Sequence, residues 1–360
     1  MTPVRVAVLG AGSWTCVNHI PEIERRDDVQ LVAAVDTSDD RRKHVAERFN
    51  FELVTDDVGR ALAEGPNAVI VGATPNAHYS LTKAALEAGA NVLCEKPFCT
   101  RAEHAWELVE LAERKGLELL TAFGWNYQQI ALDAKRVLDE HGIGTCEHMQ
   151  IHMATALREM YQEKMPVWGR PPEFLPVAGS YTRLAKGAGY AQAQLSHALG
   201  LALWLVPFRG ERVFAFMNNP GAEVDPHDAI ALRLRGGCTV SLSGACHPLG
   251  ANRNKHQMEI RLFGSDGQLI LDLEREIIWL YKDEHVDVKP PVDDDAGFYT
   301  GTGPATALVD LTAGNEGAVN RSPGELAART TEIVQAAYES WRSGQSEPIP
   351  LPRGSNPTGA

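Results

Sequence analysis

The chain has 360 residues, a length that favours two domains, because a single hydrophobic core stops growing at about 250–300 residues. Hydrophobic residues make up 44% and charged residues 22%, an ordinary globular balance that points to folded domains. The formal charge of −13 argues against nucleic acid or an anionic membrane as the main partner, and the longest apolar stretch, around residues 199–208, is shorter than the roughly 20 residues of a membrane span.

Val4–Leu9 is an apolar, β-branched run and predicts a strand. Gly10-Ala11-Gly12-Ser13-Trp14-Thr15 follows, then a helix over Cys16–Arg25, a strand over Val29–Val35 and an acid, Asp36. Strand, glycine turn, helix, strand, acid is the layout of a dinucleotide-binding unit. Gly10 permits the tight turn, Gly12 lets a pyrophosphate approach the backbone at a helix amino terminus, and Asp36 is placed to accept hydrogen bonds from the adenosine ribose. A carboxylate there favours NAD, because it repels the 2′-phosphate of NADP. Ser38, Arg41 and Arg42 follow closely and keep NADP open. Thr15 stands at the third fingerprint position in place of Gly or Ala, which predicts looser helix–strand packing.

The alternation continues with helices over Asp40–Phe49, Asp57–Glu64, His78–Ala88 and Arg101–Lys115. Strands are expected over Ala68–Gly72, Asn91–Cys94 and Leu117–Phe123. Repeated βα units predict a doubly wound parallel sheet with helices on both faces. Ligands sit outside the carboxyl ends of such strands, where Thr74-Pro75-Asn76-Ala77-His78 and Glu95-Lys96-Pro97 fall. Two opposite charges directly after a buried strand serve packing poorly. Glu95 and Lys96 are therefore read as projecting into the cofactor cleft, with Pro97 setting the direction of the turn.

The second half reads differently. A helix over Asp133–His141 precedes strands over Cys146–Thr155, Val213–Met217, Ala229–Leu234, Thr239–Ser243, Met258–Phe263, Leu269–Leu273 and Ile277–Tyr281. Gly236-Gly237 and Ser265-Asp266-Gly267 are hairpin turns, so the sheet is expected to be mainly antiparallel. Gly187-Ala188-Gly189-Tyr190 leads into a helix through His197 to Leu205, and Pro323–Arg342 is an amphipathic helix. The expected division is a dinucleotide-binding domain over 1–124, a substrate and oligomerisation domain over 125–346, and a mobile, Pro- and Gly-rich tail over 347–360.

GAGSWT at 10–15, the acid at 36, TPNAH at 74–78 and CEKP at 94–97 together resemble the Gfo/Idh/MocA oxidoreductases, from Val4 to about Leu351. The resemblance implies an N-terminal Rossmann domain and a C-terminal α+β domain with a large open, mainly antiparallel sheet. It implies NAD (NADP being possible) held by Gly10, Gly12, Ser13, Trp14, Asp36, Thr74, Pro75, Asn76, His78, Glu95 and Lys96. It also implies that Glu95 bonds the nicotinamide ribose and that a helix carries a histidine facing the nicotinamide, here His197. Two positions depart from the family pattern. One turn before the histidine the family carries Asp, and this chain has Ala193, with Gln194 on the same helix face. Many relatives have arginine after the strand near 122–129, whereas AFGWNYQQ offers Trp125, Asn126 and Tyr127. Trp125 and Tyr127 beside Asn126 suit a neutral sugar ring, stacking on its apolar face and bonding a hydroxyl, and Trp125, Asn126 and Gln194 are the candidate substrate residues.

The expected activity is an NAD(P)-dependent oxidoreductase acting on a secondary alcohol or ketone of a sugar, cyclitol or similar polyol. Lys96 is the leading proton acceptor and His197 shares or orients that proton. A redox-neutral lyase, epimerase or glycosidase that oxidises a ring carbon transiently is the second reading. A nucleotide-binding regulator without turnover is the third. The amino terminus lacks the layout of a leader, and six scattered cysteines form no CxxC pair, so a cytoplasmic protein with reduced thiols and no metal site is expected. A wide sheet with few helices to cover it predicts a homo-oligomer, dimer or tetramer.

Overall fold

Six short β-branched and aliphatic runs pair in parallel to form the first sheet: β1 (Val4–Leu9), β2 (Val29–Val35), β3 (Leu53–Thr55), β4 (Ala68–Val71), β5 (Asn91–Cys94) and β6 (Leu119–Thr121), in the order β3-β2-β1-β4-β5-β6. The computed structural model describes residues 2–162, 172–176, 179–219, 223–248, 256–283 and 285–351. The strands end in register, Leu9 opposite Val35 and Val71, Val71 opposite Cys94, and Cys94 opposite Thr121. The residues that follow them, Asp36, Gly10, Gly72, Glu95 and Ala122, therefore line one edge of the sheet. Helices α1 (Ile20–Glu24), α2 (Asp39–Arg48), α3 (Val58–Ala63), α4 (Pro75–Glu87) and α5 (Ala102–Lys115) connect the strands. The helix expected over Cys16–Arg25 is divided. Thr15–His19 is a π-helical turn, closed by the Ile20 N–H on the Thr15 carbonyl five residues back, and α1 follows with Pro21 in its first turn. α4 starts at Pro75, three residues earlier than expected, because proline is well suited to a first helical position, where no N–H is needed.

The second sheet has nine strands in the order β14-β13-β12-β11-β7-β10-β9-β8-β15. They are β7 (Cys146–Thr155), β8 (Gly210–Asn218), β9 (His227–Leu234), β10 (Thr239–Cys246), β11 (Gln257–Gly264), β12 (Gln268–Asp272), β13 (Ile277–Asp283), β14 (Val286–Val288) and β15 (Glu347–Pro348). All pairs are antiparallel except β7 with β10. One face packs on α6 (Gln129–His141), α8 (Ser196–Leu205) and α10 (Gly324–Ser343), while α7 (Arg158–Tyr161) is a single turn. The alternation along β7 to β11 is strict enough to leave the other face open. That face shows Phe214, Ala229, Ala231, Ser241 and Gln150, with Phe216 69% exposed.

Two departures concern the expected boundaries. Gly303–Ala313 forms a helix, α9, that no sequence expectation covers. Its Ala305, Leu308 and Val309 pack into the core beneath β1 and β4, so a late segment of the chain belongs to the first sheet. Its small apolar residues carry little of the polar–apolar contrast that makes a helix legible. The segment expected to be a mobile tail is in part ordered. Glu347 and Pro348 pair with Val213 and Arg212, and Ile349 is buried, whereas residues 352–360 lie outside the described residues. Among the described residues no helix is long and apolar enough to cross a membrane.

Thr15 does not loosen the packing as expected. It is fully buried against Gly72, and a Cβ on Gly72 would overlap the Thr15 hydroxyl and come within 2.8 Å of the Gly10 carbonyl oxygen. The missing glycine in the turn is compensated by a glycine at the end of β4. Gly72→Ala should therefore lower stability by about 1–3 kcal/mol. Combined with Thr15→Gly it should lose less than the sum of the two single changes, a coupling that urea denaturation of the four proteins measures.

Candidate active site

The edge formed by the strand ends opens into a cleft of about 440 Å³, lined by Gly10 to Thr15, Asp36 to Ser38, Arg41, Thr74, Pro75 and Glu95 to Pro97. Gly10 sits at φ +88°, where other residues are strained, and a Cβ on Gly12 would overlap the Gly72 carbonyl oxygen. Both glycines are thus required by the close packing of the turn on the end of β4, and both line the cleft. Asp36 is held by backbone N–H groups, Ala11 to Oδ2 at 3.1 Å and Ser38 to Oδ1 at 2.9 Å. The donor set fits NAD: bare backbone for a pyrophosphate and an oriented carboxylate for ribose hydroxyls. Both arginines that left NADP open make backbone hydrogen bonds, although Arg41 still lines the cleft and its Nη1 has no partner. Arg42 Nη1 donates to the Asp36 carbonyl at 2.7 Å, and Arg41 Nη2 donates to the Leu175 carbonyl at 2.8 Å with its guanidinium over Phe174.

At the end of β5, Glu95 is buried, and its carboxylate accepts from the His19 ring at 2.5 Å and from the Lys96 N–H at 3.0 Å. Burial by itself raises the Glu95 carboxyl, but the hydrogen bond and charge of His19 and the charge of Lys96 outweigh it and hold the carboxyl below the usual range. His19 is itself fully buried at the end of the π-helical turn. Sequence reasoning missed it, since nothing in the local pattern links position 19 to position 95.

Lys96 Nζ crosses to the second domain and donates to the Ala193 carbonyl at 2.9 Å. Ala193 lies in a second π-helical turn, Ala191–Leu195, closed by the Ser196 N–H on the Ala191 carbonyl. The turn is pinned from behind. Asp225 accepts from the Ala191 N–H at 2.8 Å and from the Tyr338 hydroxyl at 2.6 Å, and Gly189, at φ +125°, leaves room for both groups. Ala193, one turn before His197, thus meets the lysine with its backbone carbonyl.

His197 opens α8 one turn later and is buried, with Nδ1 lacking any hydrogen-bond partner. Burial first, then the charges of Lys96 and the His256 ring, press its pKa well below the ordinary value, so the ring is neutral near pH 7. Around it gathers a cluster of rings that the sequence did not announce. Tyr299 lies 5.7 Å from His197, 4.7 Å from Trp125, 5.9 Å from His256 and 5.8 Å from Trp14, between ring centroids. Trp14 belongs to the glycine turn, so the cluster spans both domains.

Other expected site residues are placed differently. His78 does not line the cleft: it is buried, and its ring nitrogens face the Pro97 carbonyl at 2.8 Å and the Ala73 carbonyl at 3.0 Å. It braces the β4 and β5 loops against each other. Asn126 is fully buried; its Nδ2 donates to the Arg321 carbonyl at 2.9 Å, while its Oδ1 has no hydrogen-bond partner. Thr74 lines the cleft and donates to Asn76, which is exposed beside it. Ser13 and Trp14 line the cleft with the glycines. Gln194 is buried in the π-helical turn before His197.

Residues 4–123 match the model of an oxidoreductase family with an NAD-binding Rossmann fold, and residues 131–270 match the GFO/IDH/MocA C-terminal domain. The chain is 32% identical over 169 residues to a D-glucoside 3-dehydrogenase of Escherichia coli, covering 47% of this chain and 46% of that protein. It is 24% identical over 293 residues to a myo-inositol 2-dehydrogenase of Thermotoga maritima, covering 79% and 80%. Like the first of these, several curated relatives are matched over about half their length or less. The fold is shared with an inositol dehydrogenase homolog from Azotobacter vinelandii solved with NADH and myo-inositol, at a TM-score of 0.74 and 18% identity over 96% of this chain and 98% of that one.

The buried His19–Glu95 pair sets a test. The Glu95 pKa is lowered on folding, so its contribution to stability is complete above the unfolded carboxyl value of about 4.3 and is lost as pH falls through the folded value. The stability gap between wild type and Glu95→Gln should hold above about pH 5 and narrow below about pH 4. His19→Leu, which removes the side-chain partner of a buried carboxylate, should cost roughly 3–5 kcal/mol at pH 7, and less when combined with Glu95→Gln. Denaturant titrations across pH check both.

Proposed function

The chain belongs to the Gfo/Idh/MocA oxidoreductase family, and from that membership we propose that it is an NAD-dependent dehydrogenase acting on the secondary alcohol of a neutral sugar, cyclitol or similar polyol. The observation that carries the reading is the position of Lys96. Its residue lines the same cleft as the glycine turn and Asp36, and its ammonium is held on the Ala193 carbonyl in the turn that leads to His197. Bound NAD supplies the hydride acceptor. Gly10, Gly12 and Asp36 hold the adenosine half, and Glu95, kept ionised by His19, offers its carboxylate to the nicotinamide ribose. As the neutral amine, Lys96 Nζ takes the hydroxyl proton; as the ammonium it instead steadies the developing alkoxide. His197, neutral and buried, orients the hydroxyl. A neutral substrate is supported by aromatic and imidazole groups around His197 and by names among the relatives that refer to glucosides and inositol.

The open face of the second sheet supports a homo-oligomer, since Phe214 and Phe216 pack edge to face there at 4.9 Å in an exposed position. Six free, buried thiols support a cytoplasmic setting.

Oxidation of a polyol should yield one NADH per product, where transient oxidation would leave none. Lys96→Ala should keep its fold and NAD affinity and lose about 10²–10⁴-fold in kcat. His197→Ala should cost less, because no carboxylate side chain supports a charged imidazole at that position. Steady-state kinetics and NAD titration of both variants decide this. Light scattering at micromolar concentration should give a dimer or tetramer, and Phe216→Glu should shift it toward the monomer.

A further inference from the structure

Three polar atoms in the aromatic cluster are shielded from solvent and lack hydrogen-bond partners: His197 Nδ1, His256 Nδ1 and Trp125 Nε1. They come from three separate parts of the chain: α8, the residue preceding β11, and the 3₁₀ turn Gly124–Tyr127 after β6. Buried polar atoms are nearly always paired, and leaving one unpaired costs about 1–3 kcal/mol. Here all three belong to rings that pack together, His256 tilted on Trp125 at 5.8 Å and stacked on Tyr299 at 5.9 Å, with His197 on the edge of Tyr299. Tyr299 is held in its place by Gly124, whose missing side chain leaves room for the ring.

The chemistry of the three atoms defines what completes them. An indole N–H only donates, whereas each neutral imidazole nitrogen either donates or accepts. Both imidazoles are kept in the neutral form, His256 at a pKa of about 4, by burial and then by the charge of Lys96. An anion would meet few positive partners here, and an apolar ligand would leave all three atoms unpaired. Hydroxyl groups, which donate and accept, satisfy the set.

We propose that His256 is a substrate-contacting residue, whose Nδ1 bonds a second hydroxyl of the neutral polyol while His197 attends the reacting one, so that His256 selects for a ring carrying both. The inference rests on the polyol-dehydrogenase reading and adds to it a specificity residue and a two-hydroxyl requirement. Trp125 Nε1 donates to an oxygen of the same ring.

Two substitutions separate recognition from packing. His256→Phe keeps an aromatic ring on Tyr299 and removes the nitrogens, and His256→Asn restores a polar atom near the Nδ1 position. The polyol that wild type oxidises best is assayed beside its single-deoxy analogues. His256→Phe should raise KM about 10- to 100-fold with kcat changed less than about threefold, and His256→Asn should recover most of that loss. One deoxy analogue should be 10- to 100-fold poorer for wild type yet no poorer than the parent for His256→Phe. An unchanged KM in His256→Phe, equal discrimination by both proteins against every analogue, or an Asn variant no better than Phe overturns the proposal. Calorimetric binding of the same polyols to the NAD-loaded proteins reads the contact without turnover. His256-dependent binding with no NADH formed overturns only the dehydrogenase reading, whereas NADH formation and binding both indifferent to His256 overturn only this inference.

Discussion

A carboxylate at the end of a fully buried parallel strand has to be paired, and the site is built around how Glu95 meets that demand. Its partner, His19, is buried in the turn that follows Gly10 and Gly12, so one hydrogen bond ties the end of β5 to the start of the β1 crossover. Without that pairing a charge in this position would neutralise or force the strand end open. With it, an ionised carboxylate and the adjacent Lys96 stand side by side at the mouth of the cleft. The π-helical turn at Thr15–His19 ends on His19, and π turns are frequent where a helix must serve a site.

A second constraint joins the two domains. Lys96 finds its acceptor on a backbone carbonyl in another π-helical turn, and that turn is held by the buried Asp225–Tyr338 hydrogen bond. Gly187, at φ +79°, lets this stretch pass against Pro75 and Thr100 of the first domain, where a Cβ would come within 2.6 Å of the proline. Position of the lysine is therefore fixed by main-chain geometry on the second domain and by strand register on the first. Ala193 offers the ammonium a neutral carbonyl and brings no carboxylate of its own to this turn. That leaves the neighbouring His197 without an anion to support a proton.

The aromatic cluster extends the same junction. Tyr299, from the long connection between β14 and α9, touches Trp14 on one domain and Trp125, His197 and His256 toward the other. Rings stacked across a domain boundary exclude water and lower the local polarity, which strengthens every charge interaction made by Lys96 and Glu95.

Much of this was legible in the chain. The strand runs of the first domain, the Gly10–Gly12 turn, Asp36 and the charged pair after β5 depend on local periodicity and turn chemistry, which a few consecutive residues encode. The strict alternation of β7 to β11 likewise made the second sheet readable before its order was known. What the sequence could not contain is who meets whom. His19 lies 76 positions from Glu95 and Ala193 lies 97 from Lys96, and no spacing rule connects them. His78 belongs to the TPNAH motif that suggested a ligand, and only packing showed its ring buried between two backbone carbonyls. Thr15 looked like a defect until Gly72 was found beneath it. The sequence by itself determined the elements and the chemical groups at their ends. The tertiary structure alone decided which buried groups are paired, since burial makes a partner obligatory and long-range packing chooses which one it is.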